Sequence, residues 1–145
     1  MTDCIFCQIL AGEAPGSFVY RDEHTAAIMD INQPNPYRVL VMPIAHVEAI
    51  YDLNRDQAAQ IFQTTVLVAN AVRAASGCDG MNLFQNNGRV AMQTVFHFHM
   101  HVLPRFAGDR LLLRLPLARF FRKDRAELDR MAAAIRAHLQ PDSTV

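Results

Sequence analysis

The amino-acid sequence predicts an α+β fold, an antiparallel sheet of about five strands carrying two main helices. Three observations support it. Two short β-prone runs stand one turn apart near the N-terminus, one long helical pattern fills the middle, and further β-prone runs precede a last helical pattern. Such grouping, without regular strand–helix alternation, favours antiparallel pairing over a parallel sheet. Residues 4–11 place Ile5, Phe6 and Ile9 at helical spacing, enough for one or two turns. Residues 17–21 and 25–29 read as strands on either side of Asp22-Glu23-His24. The prolines of Asn32-Gln33-Pro34-Asn35-Pro36 make a loop, and 38–42 is a strand stopped by Pro43. A helix follows over 54–75, where Asn54 can cap the start, Gln57 completes a capping box and Ser76-Gly77 closes the end. Its apolar residues (Ile61, Phe62, Val66, Leu67, Val68, Val72) spread beyond one stripe, which predicts a largely buried helix. Residues 81–85 and 95–103 supply the last strands. The final helix, 124–139, opens on Asp124 and Glu127 and sets Leu128, Met131, Ile135 and Leu139 on one face.

The 145 residues suit a single domain, 1–145, and the 51% hydrophobic content is enough for a packed core. Fourteen basic residues balance 14 acidic ones, which argues against a nucleic-acid coat. No apolar run reaches the roughly 18 residues that a transmembrane helix needs, and MTDCIFCQIL does not resemble a secretory signal. Three cysteines cannot close a disulfide framework, so a cytoplasmic location with reduced thiols is expected.

Three of the six histidines fall at alternate positions, His97, His99 and His101. Within a strand they would share one face, with rings roughly 6–7 Å apart, while Phe98, Met100 and Val102 face the other way. Each ring needs partners for its nitrogens, which three neighbours on an apolar face would not find. The residue types leave two chemistries open. One is a metal site, although the next acidic residue in the chain is Asp109. The other is nucleophilic attack by an imidazole that crowding keeps neutral. Asn86, Asn87, Gln93 and Thr94 offer amide and hydroxyl groups just upstream.

His97-Phe98-His99-Met100-His101-Val102-Leu103 resembles the His-φ-His-φ-His-φ-φ signature of the histidine triad (HIT) family. The likeness extends through Cys4-Ile-Phe-Cys-Gln-Ile, Met29-Asp30-Ile31, Val39-Leu-Val-Met-Pro43, His46, Gln93-Thr94-Val95 and Val102-Leu-Pro-Arg105. It covers a core at about 4–109 and leaves 110–140 as an extension and helix. The resemblance implies a homodimer with a HIT-like fold that binds a purine nucleotide and cleaves or transfers at its α-phosphate. Substrates of the family include phosphoramidates, acyl-adenylates and dinucleoside polyphosphates. By position, His99 resembles the nucleophile, and His97 the residue whose backbone carbonyl holds the nucleophile's other nitrogen. His101, Asn86 and Gln93 resemble phosphate ligands, Thr94 the proton-passing hydroxyl, and Asp30 the acid that holds the ribose. Ile5, Phe6, Ile9, Ile28 and Ile31 correspond to the walls around the base.

The same resemblance implies that no cofactor is required for catalysis and that Cys4, Cys7, His46 and His97 hold a structural zinc. Thr94 stands where phosphoramidase members carry Ser, and Gln-Thr-Val resembles the dinucleoside-polyphosphate branch. Arg38 departs from the His usual at its position and cannot share a proton as His does. Residues 105–125 carry seven basic residues against two acidic ones. A solvated face, recruitment of polyphosphate and packing on a partner subunit all remain open for that stretch. Two other classes also remain: a nucleotide-binding regulator with little turnover, and a metal-dependent hydrolase using the three histidines as ligands.

Overall fold

A computed structural model describes residues 3–139; residues 1–2 and 140–145, including the end of the expected 110–140 extension, lie outside the described residues. Strands β1 (Phe18–Arg21), β2 (Thr25–Met29), β3 (Val39–Pro43), β4 (Gly80–Phe84) and β5 (Met100–Arg105) form one sheet in the order β1-β2-β3-β5-β4. Every neighbouring pair is antiparallel. Helices α1 (Ile5–Ala11), α2 (Arg55–Ser76), α3 (Leu111–Arg114) and α4 (Arg125–Arg136) complete the fold. None of these helices is long and apolar enough to cross a membrane.

The period-two alternation of β2 and β3 separates two apolar layers. Ala27, Met29, Val39 and Val41 pack with Val68 and Val72 of α2 and with Leu128 and Ile135 of α4. Ala26, Ile28, Leu40 and Met42 pack on Phe6, Ile9 and Leu10 of α1. Both faces are covered, which is why these strands read as continuous apolar runs. The capping box predicted for α2 is present, with Asn54 and Gln57 bonded reciprocally. Gly77, at φ 63°, closes the helix in the left-handed conformation that side chains resist.

Two expectations change. The triad does not lie in one strand: β5 begins only at Met100, and of the three histidines it contains His101 alone. Its last register pair with β3 is Val41–Met100. Beyond it, Pro43 has no N–H to offer, and its carbonyl is taken by His97 Nε2 at 2.9 Å. The alternation nonetheless persists, since Phe98 enters the α2/α4 core while Phe6 packs edge-on against both His97 and His99. The second change is in α2, whose extra apolar residues Phe62 and Val66 are 57% and 47% exposed rather than buried.

Residues 110–123, given no secondary structure from the sequence, form α3, a 3-10 stretch over Leu115–Phe121 and a short extended return. Asp109 anchors this segment, accepting from Arg105 Nε at 2.8 Å, Asn35 Nδ2 at 2.8 Å and the Leu111 backbone at 3.0 Å.

Candidate active site

The sheet brings His99 and His101 to the α1 face, where their rings lie 4.8 Å apart. His99 Nδ1 stands 2.6 Å from the His97 carbonyl oxygen. A carbonyl can only accept, so Nδ1 carries the hydrogen and Nε2 keeps the lone pair of the neutral ring. Arg38 Nη2 lies 2.9 Å from His101 Nδ1, and a guanidinium can only donate. The His101 hydrogen therefore sits on Nε2. Phe84, the β4 residue paired with His101, stacks on its ring at 4.3 Å and 7°.

Burial pushes the pKa of His99 below its ordinary value, only partly opposed by the bond to the His97 carbonyl. His101 is pushed down to about 2, first by burial and then by repulsion from the adjacent Arg38 cation. Both rings are therefore neutral near pH 7. Arg38 also stands 3.2 Å from Asp30 Oδ2, yet its Nε has no aligned hydrogen-bond partner, so the contact is ionic rather than a directed bond. Burial raises the pKa of Asp30, while Arg38 and the Asn32 backbone N–H draw it the other way. Gln33 clamps this pair from behind, donating to the Asp30 and Arg38 carbonyls at 2.6 and 2.9 Å and accepting from the Arg38 N–H.

A cavity of about 660 Å³ opens over these groups. Its lining includes Ile5, Phe6, Ile9, Ile28 and Ile31, the five residues expected as apolar walls, together with Asp30, Asn86, Thr94, His99 and His101. Gln93 and His97 do not line it. Gln93, expected at the phosphate, is spent on backbone groups: Oε1 accepts from Gly88 N at 2.7 Å, and Nε2 donates to the Val95 carbonyl of its own loop and to the Glu48 carbonyl after β3. His97 takes part in the site only through its backbone carbonyl, which holds His99 Nδ1, and its ring turns to the cysteines.

That ring belongs to a second cluster. Ligand atoms of Cys4, Cys7, His46 and His97 all lie within 4.8 Å of one another. Cys7 Sγ is 3.3 Å from His46 Nδ1 and 3.5 Å from His97 Nδ1, and Cys4 Sγ is 3.6 Å from His97 Nδ1. A zinc tetrahedron with bonds of about 2.0–2.3 Å has edges of roughly 3.3–3.8 Å. His97 Nε2–H donates to the Pro43 carbonyl, which leaves the Nδ1 lone pair for a metal and fixes the ring from behind. The four residues can hold a metal ion, and the two thiols suit zinc. The triad rings do not form a comparable set. His97 faces the thiols, His99 Nδ1 donates to a carbonyl, and His101 Nδ1 accepts from Arg38.

Several site residues were not recognised from the sequence. Phe84 closes a predicted strand, but its stacking on His101 depends on the β4/β5 register. Gln33 lay in a segment read only as a loop. Arg119, Arg122 and Arg125 line the cavity although they lie in the unassigned 105–125 stretch; the local charge excess was their only signal.

A HIT-domain family model matches residues 11–108. The Bacillus subtilis protein hit is 43% identical over 108 residues, 74% of either chain. Adenylylsulfatase HINT3 of Arabidopsis thaliana is 33% identical over 137 residues, 94% of this chain and 70% of that protein. The crystal structure of a zinc-bound histidine triad family protein from Mycobacterium smegmatis superposes with a TM-score of 0.80. It is 34% identical, with 94% of this chain and 93% of that chain covered. The triad, its cavity and these relatives agree: the chain belongs to the histidine triad (HIT) family.

Proposed function

We propose that the protein is a nucleotide-binding hydrolase or transferase that cleaves at the α-phosphate through a nucleotidyl-histidine at His99. The observation that carries this reading is the 2.6 Å bond from His99 Nδ1 to the His97 carbonyl, which leaves Nε2 as the only nucleophilic nitrogen of a neutral ring. Nε2 attacks the α-phosphorus, a P–N bond forms, and the bond to the leaving group breaks with its electron pair. The leaving group takes a proton from the Thr94 hydroxyl, which lines the same cavity. The Nδ1–H held on the carbonyl stabilises the positive charge that the ring acquires. Water then attacks phosphorus and returns a proton to the Thr94 oxygen, the P–N bond breaks, and neutral His99 and a nucleoside monophosphate are released. One hard displacement becomes two easier ones.

In this reading Asp30 holds the ribose, the isoleucines and Phe6 hold a purine, and Asn86 contacts the phosphate. His101 donates from Nε2 to a phosphate oxygen, because Arg38 occupies its other nitrogen. Gln93 shapes the loop that presents Thr94. Family substrates and the relative named as an adenylylsulfatase point to phosphoramidates, acyl-adenylates, mixed anhydrides and dinucleoside polyphosphates. The test is direct: acid quenching during turnover of adenosine phosphoramidate, followed by intact-mass measurement. A wild-type adduct of one nucleoside monophosphate is expected; turnover with no adduct at any quench time would remove the covalent route.

Arg38→Met is expected to lower kcat/KM by about 10- to 100-fold, since His101 loses the donor that fixes its tautomer and Asp30 its counter-charge. Nitrogen-detected NMR should show His101 as the Nε2–H tautomer in wild type only. The same tautomer persisting in the variant would contradict this role.

A two-fold homodimer is also proposed. β4 is an edge strand, and Leu83 on it, like Phe62 and Val66 on α2, is substantially exposed. Light scattering is expected to give about twice 16.3 kDa, and Phe62→Glu with Leu83→Glu to give the single-chain mass. Wild-type protein of single-chain mass at micromolar concentration would defeat the proposal.

A further inference from the structure

The cavity wall also takes in residues of the C-terminal segment. Residues 31–33 pair there with 121–123: Asn32 bridges to Arg122, Gln33 N donates to the Phe121 carbonyl at 2.9 Å, and Lys123 N to the Ile31 carbonyl at 3.0 Å. Paired residues of an antiparallel bridge stand about 5 Å apart, so the Arg122 backbone lies opposite Asn32, which is two residues along the chain from Asp30, and all three line the cavity. Arg119 and Arg125 line the same cavity, and Arg125 meets the Pro15 carbonyl on its wall.

Two of these three arginines have no ion-pair partner among the described residues, whereas Arg125 shares the Ser17 hydroxyl with Asp129. Asp124 is spent capping α4, Glu127 pairs with Lys123 at 3.5 Å, and Asp129 accepts from Ser17 Oγ. Arg125 is held in place by donating to Ser17 Oγ at 2.7 Å and to the Pro15 carbonyl. Among the described residues neither Arg119 nor Arg122 enters an ion pair; the Arg119 guanidinium lies 4.8 Å from the Phe120 ring centroid. A mononucleotide needs no such group beyond its ribose, and guanidinium groups facing one cavity match a phosphate dianion.

We infer that Arg119, Arg122 and Arg125 form an anion subsite for a phosphate on the 2′- or 3′-oxygen of the substrate's ribose. The substrate is then a nucleotide phosphorylated twice on its nucleoside half, cleaved at its 5′ α-phosphate. The inference rests on the reading of Asp30 as the ribose acid. Asp30, countered by Arg38, accepts from the hydroxyl left free, and the second phosphate turns toward the arginines. The subsite lies in the chain's own C-terminal extension.

Calorimetry with AMP, adenosine 3′,5′-bisphosphate, adenosine 2′,5′-bisphosphate and GMP tests it on the full chain, in wild type and in Arg119→Gln with Arg122→Gln. Both substituted residues are exposed, and circular dichroism checks that the variant folds. One bisphosphate is expected to bind wild type about tenfold more tightly than AMP, with the ratio falling below about twofold in the variant. Which isomer shows the advantage identifies the ribose oxygen. Equal binding of AMP and both bisphosphates, or an advantage that survives both substitutions, overturns the inference. So does a GMP preference that the variant loses, because the arginines would then read the base. Failure of AMP itself to bind removes the nucleotide reading of the site, and this inference with it.

Discussion

His99→Ala is expected to lower turnover by at least about 10⁴-fold on every nucleotide substrate while leaving nucleotide binding largely intact. In the proposed mechanism the ring does two things that no neighbour can take over. Its Nε2 lone pair makes the bond to phosphorus, and its Nδ1–H on the His97 carbonyl aims that lone pair and supports the charge formed. His101 cannot substitute, because its Nδ1 is held by Arg38 and its Nε2 carries the hydrogen. Binding survives because the apolar walls and Asp30 do not depend on the ring. The pH dependence has a definite sign: burial lowers the pKa of His99 from 6.5, so the nucleophile stays neutral through neutrality. Turnover should then fall on acidification only below pH 6.5. Thr94→Val should cost less, about 10- to 100-fold, since water can pass a proton but cannot replace a covalent intermediate. Near-wild-type turnover by His99→Ala would sink the assignment, and so would an acid limb centred above pH 6.5.

The second large effect concerns the metal-ligating set. Zinc at Cys4, Cys7, His46 and His97 is expected near one per chain, and its removal by a strong chelator should lower Tm by roughly 10 °C. Helix α1 is seven residues long, too short to persist alone, and its start is capped only by the Cys4 sulfur that accepts from Cys7 N. Four ligands would tie this helix to the loop after β3 and to His97. The same helix brings Phe6 against His97 and His99, so losing the tie loosens the cavity wall. Turnover should fall in step with the folded fraction, because four protein ligands leave no open position for water. Cys4→Ser with Cys7→Ser should reproduce the loss of stability without chelator. An unchanged Tm with metal demonstrably removed would refute the structural role. Loss of turnover in protein that remains folded would instead make the metal catalytic.

The two functions meet at one residue. The ring of His97 belongs to the thiol cluster, and its carbonyl holds the proposed nucleophile. A metal there would steady the backbone that aims His99 without touching substrate. The family resemblance implied each role separately, but their union follows from the chain leaving the sheet at Pro43 and Met100.

Local signals in the sequence determined most of the architecture. Capping residues at Asn54 and Asp124, Gly77 after α2, the turn at 22–24 and apolar runs of strand length depend only on neighbours in the chain. Their elements appear within a few residues of expectation. The triad was equally legible, because alternation keeps His97, His99 and His101 to one side even where the ladder has stopped. Tertiary structure decided everything that depends on register or on contact between distant segments. Phe84 meets His101 only through the β4/β5 pairing, and Gln93 turns from the cavity because two backbone groups of its own loop and the distant Glu48 carbonyl satisfy its amide. Arg38 finds Asp30 and His101 only once β3 lies between β2 and β5. The arginines of 119–125 reach the cavity wall near Asn32 because 121–123 pairs with 31–33, some ninety residues away in sequence. Charge in a sequence gives a sum, but its position relative to a site comes from the folded chain. Composition therefore determined that residues 105–125 are basic, and folding decided which group those charges face.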